Sequence, residues 1–246
     1  MIYHEFAKFY DDLFDETLYD KWLEYTLRRT NRSDKILDLA CGTGRLAVRL
    51  SRAGYNVDGA DLSEDMLTMA DQRAREADQQ INFFQLDMRN LSELPSYDNI
   101  TCFDDSLCYL SSESDLRQTF SQVSTHLKTG GSFLFDVITP YQTDEVYPGY
   151  MYNYQDEDRA FMWSSYASES VSHAVEHELT FFLYDGDKNA YDAYNELHKE
   201  RTYPVDRYSQ MLTGAGFSEI QITTNFGEDS FKNDVKRWLF ECKKVN

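Results

Sequence analysis

The stretch Ile36-Leu37-Asp38-Leu39-Ala40-Cys41-Gly42-Thr43-Gly44 decides the fold of this chain. Residues 36–39 predict a short apolar strand that runs directly into a glycine turn. The small residues at 40, 42 and 44 let the backbone pass close to a ligand, and apolar residues at helical spacing begin at Leu46. The stretch therefore predicts a strand, a tight turn and a helix whose N-terminus can face a ligand. A tight turn without a ligand, or a loosely matched dinucleotide turn, remains an alternative.

Strand and helix patterns alternate outward from this turn. Apolar segments predict further strands at 57–60, 81–86, 100–103 and 132–138. Between them, apolar residues recur at helical spacing, and Ser63 is a natural cap for one of the helices. This alternation predicts an α/β fold with a doubly wound, mainly parallel sheet.

The alternation breaks at Pro140. Residues 141–203 show strand-like, aromatic-rich segments, and Asp185-Gly186-Asp187 predicts a turn between two of them. We expect three or four antiparallel strands here, inserted into the α/β unit because a helix pattern and two strand patterns follow from Pro204. The predicted organisation is an N-terminal helical cap at 1–32, a core at 33–140 and 204–246, and a β insert at 141–203 that forms a lid or a dimer element.

Composition restricts the partners and the location. The 246 residues carry 24 basic and 43 acidic side chains, a formal net charge of -19. Such a surface repels phosphate backbones and anionic lipid, so we expect no nucleic-acid partner. No apolar run of about 18 residues and no secretory signal is apparent, which predicts a cytoplasmic protein without a membrane span. The four cysteines form no C-x-x-C pair, so we expect reduced thiols and no metal site.

Three acidic residues are placed at the ends of the first three predicted strands. Asp38 lies in the first strand, where it favours a cationic group such as an ammonium or a sulfonium over a pyrophosphate. Asp61 ends the second strand, where a carboxylate can accept hydrogen bonds from ribose hydroxyls. Asp87 ends the third, where it can accept from an adenine amino group. The three acids predict a pocket for adenosine joined to a positively charged tail, which fits S-adenosylmethionine better than NAD.

The sequence resembles the class I S-adenosylmethionine-dependent methyltransferases. The resemblance rests on ILDLACGTG (36–44), GADLSEDML (59–67), FFQLDMRNL (83–91) and HLKTGGSFLFDV (126–137). The wider layout, with Tyr10-Asp11 near the N-terminus and a β insert after the fifth strand, is similar to amino-sugar N,N-dimethyltransferases and the glycine N-methyltransferase-like group. The resemblance implies a Rossmann-like seven-stranded sheet whose last strand is antiparallel. It also implies methyl transfer to a small-molecule acceptor, on nitrogen or oxygen, with S-adenosylhomocysteine as the product.

The resemblance further implies a set of cofactor-binding residues. Asp38 would contact the methionine amino group, Asp61 the ribose and Asp87 the adenine amino group. The other positions would line the turn, pack on the adenine or lie beside the methyl donor, and Tyr10, Tyr19 and Trp22 would cover the methionyl end. The full set is Tyr10, Asp38, Ala40, Gly42, Gly44, Asp61, Leu62, Met66, Asp87, Met88, Asp104 and Asp105.

Two departures from the family pattern bear on the acceptor and the turn. Ala40 stands where the family pattern has the first glycine of the loop. Its methyl group should only narrow the space within the turn. Asp104-Asp105-Ser106-Leu107 stands where base-modifying relatives carry Asn-Pro-Pro-Tyr, which argues against nucleic-acid amines as acceptors.

On the acceptor side, the sequence singles out no one catalytic residue. Candidates in the insert are Trp163, His177, His198, Arg201 and Tyr203. The pattern from His173 to His177 matches H-x-x-E-H, but this zinc motif needs a helix, and four residues along a strand span about 13 Å. Two other function classes remain open: a non-catalytic cofactor-binding module whose insert holds a partner protein, and a NAD-linked oxidoreductase. The insert equally allows a homodimer.

Overall fold

The computed structural model describes residues 16–245. The helices are α1 (Glu16–Leu27), α2 (Arg45–Arg52), α3 (Glu64–Glu76), α4 (Glu113–His126) and α5 (Val205–Gly214). The strands are β1 (Lys35–Leu39), β2 (Asn56–Asp61), β3 (Asn82–Gln85), β4 (Tyr97–Cys102), β5 (Leu127–Ile138), β6 (Met151–Gln155), β7 (Arg159–Ala167), β8 (Ala174–Asp185), β9 (Ala190–Arg201), β10 (Phe217–Thr224), β11 (Asp229–Ser230) and β12 (Arg237–Lys244).

The larger sheet has the strand order β11-β10-β12-β5-β4-β1-β2-β3. Strands β1 to β5 pair in parallel, whereas β12 runs antiparallel to both of its neighbours. The doubly wound α/β sheet with an antiparallel last strand is thus confirmed. The two-residue strand β11 extends the predicted seven strands by one at the edge.

Helices cover both faces of this sheet because its strands are apolar on both sides. On β1, Leu37 and Leu39 join the core cluster that contains α4 and α5, while Ile36 joins the cluster that contains α1 and α2. Side-chain caps fix where two helices begin: Ser63 accepts from the Met66 amide and Ser112 accepts from the Asp115 amide. The start of α3 is therefore held at the end of β2, close to the glycine turn.

The smaller sheet is antiparallel, with the order β6-β7-β8-β9, and lies in the chain between β5 and α5. Its buried face carries Phe161, Leu179 and Phe181, against which Met66 of α3 packs. The predicted antiparallel insert is confirmed, and His177 lies within β8, as the strand interpretation of H-x-x-E-H required. The π-helical turn Gln142–Val146, which precedes this sheet, was not predicted.

None of the helices within residues 16–245 combines the length and the apolar character needed to cross a membrane. Cys41, Cys102, Cys108 and Cys242 are all buried and form no disulfide.

Gly44 offers a test of the packing between the glycine turn and α3. A Cβ at Gly44 would lie 2.8 Å from the Ala70 Cβ, and the backbone there has φ +74°. We expect Gly44→Ala to lower the free energy of unfolding by about 2–4 kcal/mol, because strain and overpacking add. Urea denaturation measures the change. Gly42→Ala is the matched control, since Gly42 has φ +53° but no atom within 4 Å of its Cβ position. Equal losses in the two variants would contradict the packing explanation.

Candidate active site

A cavity of about 1160 Å³ lies where the parallel strands end. Its wall comes from the ends of β1, β2 and β4, the loop after β3, helix α1 and the buried face of the smaller sheet. Carboxyl ends of parallel strands are the usual ligand-binding edge of an open α/β sheet. The cavity is thus formed jointly by the strand ends of the α/β unit and by the insert.

Asp38 is the most deeply buried acid of this wall. Its side chain accepts a hydrogen bond of 2.9 Å from Thr101 Oγ1, and the residue is 3% exposed. The second carboxylate oxygen, Oδ2, has no hydrogen-bond partner among the described residues. Burial raises the pKa of Asp38 to about 7. A buried carboxylate oxygen without a donor is a ready acceptor for a cationic N–H group.

Asp61 ties the glycine turn to the end of β2. Its carboxylate accepts from the backbone amides of Gly42, at 2.8 Å, and Ser63, at 2.9 Å. Burial raises the pKa of Asp61, and these two amides partly offset that effect. The turn itself passes through left-handed backbone at Ala40, with φ 56°. Asp61 thus positions the turn in addition to facing the cavity.

Asp87 lines the cavity in an ion pair that the sequence did not reveal. Arg89 Nη2 lies 2.6 Å from Asp87 Oδ2, and Arg89 Nη1 lies 3.1 Å from Asp115 Oδ1. The hydrogen bonds from Arg89 lower the pKa of Asp87. The carboxylate at the end of β3 is therefore charged and shared with an arginine that also lines the cavity.

Asp104 and Asp105 follow β4 in a strained turn, with φ 59° and 48°. Arg237 of β12 binds Asp105 Oδ1 at 2.6 Å and Asp136 Oδ2 at 2.9 Å. Trp22 donates its indole N–H to the same Asp136 oxygen at 2.7 Å. Burial raises the pKa of Asp104 to about 6 and that of Asp105 well above its usual range, while Arg237 opposes both shifts.

Sequence reasoning missed Arg237 and Asp136. Asp136 is a fully buried acid inside the apolar run of β5, an anomaly that indicates a buried partner. Arg237 is 101 residues away along the chain, so only the antiparallel pairing of β5 with β12 brings the two together.

The remaining predicted cofactor positions divide into three groups. Ala40, Gly42, Leu62, Met66 and Met88 line the cavity, as do Tyr19 and Trp22. Gly44 lies outside the lining and faces Ala70 instead. Tyr10 falls outside the described residues.

The smaller sheet supplies the opposite wall. Of the predicted insert residues, Trp163, His177 and His198 line the cavity, whereas Arg201 and Tyr203 do not. The lining residues that were not predicted here are Tyr147, Tyr150, Tyr152, Phe161, Leu179 and Glu200. Tyr147 and Tyr150 precede β6, whereas the other four lie on strands. The inward placement of those four depends on strand register, which the alternating pattern alone left open by one residue.

Comparison with known proteins agrees with this geometry. The Methyltransferase domain family matches residues 36–131. A putative methyltransferase of Geobacillus sp. (strain WCH70) is 41% identical over 249 residues, covering 99% of this chain and 100% of that protein. The dTDP-3-amino-3,6-dideoxy-alpha-D-glucopyranose N,N-dimethyltransferase of Streptomyces fradiae is 25% identical over 192 residues, covering 78% of this chain and 72% of its own length.

A solved structure shows the same architecture over the full length. The S-adenosylmethionine-dependent methyltransferase from Clostridium acetobutylicum superimposes with a TM-score of 0.86 and 28% identity, covering 100% of both chains. These matches support an enzyme rather than a non-catalytic binding module. By its sequence relatives, its fold and its strand-end acids, the chain belongs to the S-adenosylmethionine-dependent methyltransferases.

Proposed function

We propose that this enzyme transfers a methyl group to a nitrogen or oxygen atom of a small-molecule acceptor bound between the strand ends and the smaller sheet. The observation that carries the proposal is the buried Asp38 carboxylate, whose Oδ2 has no donor among the described residues although it lies in the cavity wall. An ammonium group supplies the missing donor and the opposite charge. The pyrophosphate of a nicotinamide dinucleotide has no N–H donor and is negatively charged, so it cannot pair with this carboxylate.

The acids that line the wall support an assignment of the methyl donor in the order that the sequence predicts. We assign Asp38 to the methionine amino group, Asp61 to the ribose hydroxyls and Asp87 to the adenine amino group. Leu62 and Met66 provide apolar surface for the adenine, and the Met88 backbone amide is a donor for a ring nitrogen. When bound, S-adenosylmethionine supplies an electrophilic methyl group on a sulfonium; alignment and exclusion of water are left to the protein.

The acceptor must present a lone pair, so an amine has to lose its proton before it attacks. Asp104 is suited to accept it, because burial raises its pKa to about 6, which leaves it mostly ionised at neutral pH. Asp105 is held by Arg237 and serves to position the turn. We therefore assign the proton acceptor to Asp104.

The smaller sheet is assigned to the acceptor, as a cover of the cavity. Support comes from Trp163, His177 and Glu200, all of which line the cavity from this sheet. A homodimer through the β insert stays a prediction. The net charge of -19 supports the absence of a nucleic-acid partner. Cytoplasmic location likewise stays a prediction.

Removal of the Asp61 carboxylate tests the cofactor assignment. We expect Asp61→Ala to weaken binding of S-adenosylhomocysteine by about 1–3 kcal/mol, because the ribose hydroxyls lose their acceptor and the Gly42 turn loses its anchor. Isothermal titration calorimetry measures the affinity. Asp71→Ala is the matched control and should bind normally, because Asp71 is a half-buried acid of α3 that pairs with Arg75 and does not line the cavity. An unchanged affinity in Asp61→Ala, or tighter binding of reduced nicotinamide than of S-adenosylhomocysteine by the unaltered enzyme, would refute the assignment.

A further inference from the structure

Two buried polar side chains of the smaller sheet line the cavity but form no hydrogen bond with each other. His177 on β8 is 3% exposed and Glu200 on β9 is 6% exposed, and both line the cavity. His177 Nε2 and Glu200 Oε2 have no hydrogen-bond partner among the described residues. His177 Nε2 lies 3.8 Å from Glu200 Oε1, beyond hydrogen-bond distance. Buried polar atoms of this kind are costly unless a ligand completes them.

The hydrogen bonds at Nδ1, the other ring nitrogen of His177, determine whether Nε2 is a donor or an acceptor. Trp163 Nε1–H, which can only donate, lies 3.2 Å from His177 Nδ1, and Ser165 Oγ lies 2.8 Å from the same atom. Nδ1 is therefore the acceptor, and the ring proton lies on Nε2. His177 presents an N–H donor to the cavity and cannot serve as the proton acceptor in this state.

His177 Nε2–H is a donor and Glu200 Oε1 is an acceptor, and the two heavy atoms lie 3.8 Å apart. This spacing determines which ligand group can form a hydrogen bond with both. A ligand ammonium can only donate, so it would bind Glu200 and leave His177 without a partner. A ligand carboxylate can only accept, so it would bind His177 and leave Glu200 without a partner. A hydroxyl oxygen about 2.8 Å from both atoms accepts from His177 Nε2–H and donates to the Glu200 carboxylate. The aromatic ring of Tyr147, with its centroid 4.7 Å from that of His177, leaves little freedom for the imidazole to turn away.

The charges of the wall disfavour a phosphorylated acceptor. Six carboxylates among the described residues line the cavity: Asp38, Asp61, Asp87, Asp104, Asp105 and Glu200. The only arginines or lysines in this described lining are Arg89 and Arg237, and both are paired with carboxylates. A diphosphate group would enter a strongly negative site without an available cation. A positively charged amine is favoured by the same field.

We propose that His177 and Glu200 bind a hydroxyl group of the methyl acceptor, and that this acceptor is a small hydroxyl-bearing amine without a phosphate or nucleotide. This inference rests on the proposed function and adds the acceptor class and two specificity-determining residues. His177 and Glu200 hold the acceptor, while its amino group lies toward Asp104.

Two matched pairs of amines test the acceptor class. The first pair is trans-2-aminocyclohexanol and cyclohexylamine, which differ by one hydroxyl; the second is glucosamine and glucosamine 6-phosphate, which differ by one phosphate. The measured quantity is kcat/KM for formation of S-adenosylhomocysteine from S-adenosylmethionine. We expect the hydroxyl to raise kcat/KM at least tenfold and the phosphate to lower it at least tenfold, because a buried donor–acceptor pair rejects an analogue that leaves it unpaired.

Two variants test the residues. Glu200→Gln and His177→Phe should each lower kcat/KM for trans-2-aminocyclohexanol far more than kcat/KM for cyclohexylamine, so that most of the advantage of the hydroxyl is lost, and should leave the affinity for S-adenosylhomocysteine within about twofold. Glu178→Gln is the matched control, because Glu178 is an exposed acid beside His177 on β8. This variant should leave kcat/KM unchanged for both amines. A merely structural role for Glu200 would lower kcat/KM for both amines equally and would overturn the assignment.

Other outcomes separate this inference from the proposed function. Preference for glucosamine 6-phosphate, equal rates within the first pair, or turnover of none of the four amines by an enzyme that binds S-adenosylhomocysteine would overturn the acceptor class alone. Failure to bind S-adenosylhomocysteine would overturn the proposed function as well.

Discussion

Replacement of Arg237 by methionine is expected to lower the free energy of unfolding by about 3–5 kcal/mol at pH 8. Arg237 Nη2 lies 2.6 Å from Asp105 Oδ1, and Arg237 Nη1 lies 2.9 Å from Asp136 Oδ2. Asp136 is fully buried and Asp105 is 8% exposed. Methionine fills much of the same volume but leaves two buried carboxylates without their cation. The loss therefore comes from uncompensated charge more than from packing.

The pH dependence distinguishes these causes. Burial already raises the pKa of Asp105 well above its usual range, and loss of Arg237, which opposes that shift, raises the pKa further. The folded state then binds more protons than the unfolded state, so stability falls as the pH rises through the folded pKa. We expect the deficit of Arg237→Met to be clearly smaller at pH 5 than at pH 8.

Urea denaturation at the two pH values measures both quantities. Arg28→Met is the matched control, because within residues 16–245 Arg28 forms an ion pair only with exposed Glu24, four residues earlier, and should change stability by less than about 0.5 kcal/mol. A loss in Arg237→Met that is the same at pH 5 and pH 8 would show that packing, rather than charge, explains the role of Arg237.

Asp38→Asn should have opposite effects on stability and on cofactor binding. Burial raises the pKa of Asp38 from 3.8 to about 7, so the folded state disfavours the carboxylate. This cost is absent below the unfolded pKa, grows as the pH rises from about 4 to about 7 and is complete above that. At 1.36 kcal/mol per pKa unit the cost approaches about 4 kcal/mol at pH 8, and an unpaired amide N–H in the variant offsets part of it. We expect Asp38→Asn to be more stable by about 1–3 kcal/mol at pH 8 and no more stable at pH 4.

Binding should change in the other direction. The neutral amide cannot pair with a cationic amino group, so we expect the affinity for S-adenosylhomocysteine to fall about 100-fold, or about 2.7 kcal/mol. Chemical denaturation and calorimetry on the same preparations measure both effects.

Asp58→Asn is the matched control for Asp38→Asn. Asp58 is equally buried but already has its partners, with Lys35 Nζ at 2.7 Å and the Tyr97 hydroxyl at 3.0 Å. Asp58→Asn should lose stability and bind the cofactor product normally. A loss of stability at pH 8 in Asp38→Asn, or tight binding by that variant, would contradict a role of Asp38 as the acceptor for an amino group.

The cavity that these predictions address is lined by residues with left-handed backbone and by buried polar atoms that lack a hydrogen-bond partner. Ala40, Asp104 and Asp105 have left-handed backbone, and Asp38, His177 and Glu200 have unpartnered buried atoms. These six residues all line the cavity, although residues with left-handed backbone or unpartnered buried atoms also occur elsewhere in the described chain. Local strain of this kind persists only where the surrounding fold supports it. Stability and function therefore oppose each other at Asp38.

Local patterns in the chain were enough to predict the α/β sheet, the inserted antiparallel strands and the acids at the ends of β1, β2 and β3. These features depend on hydrophobic periodicity and on the turn at 40–44, which are properties of neighbouring residues. The order of strands in a doubly wound sheet then places Asp38, Asp61 and Asp87 at one edge.

Only the tertiary structure decided which polar groups meet across long stretches of chain. Arg237 reaches Asp136 through the pairing of β5 with β12, and His177 approaches Glu200 because the register of β8 with β9 makes them diagonal neighbours on one face. No local pattern encodes these distances, since a shift of one residue in strand register would turn each side chain to the opposite face.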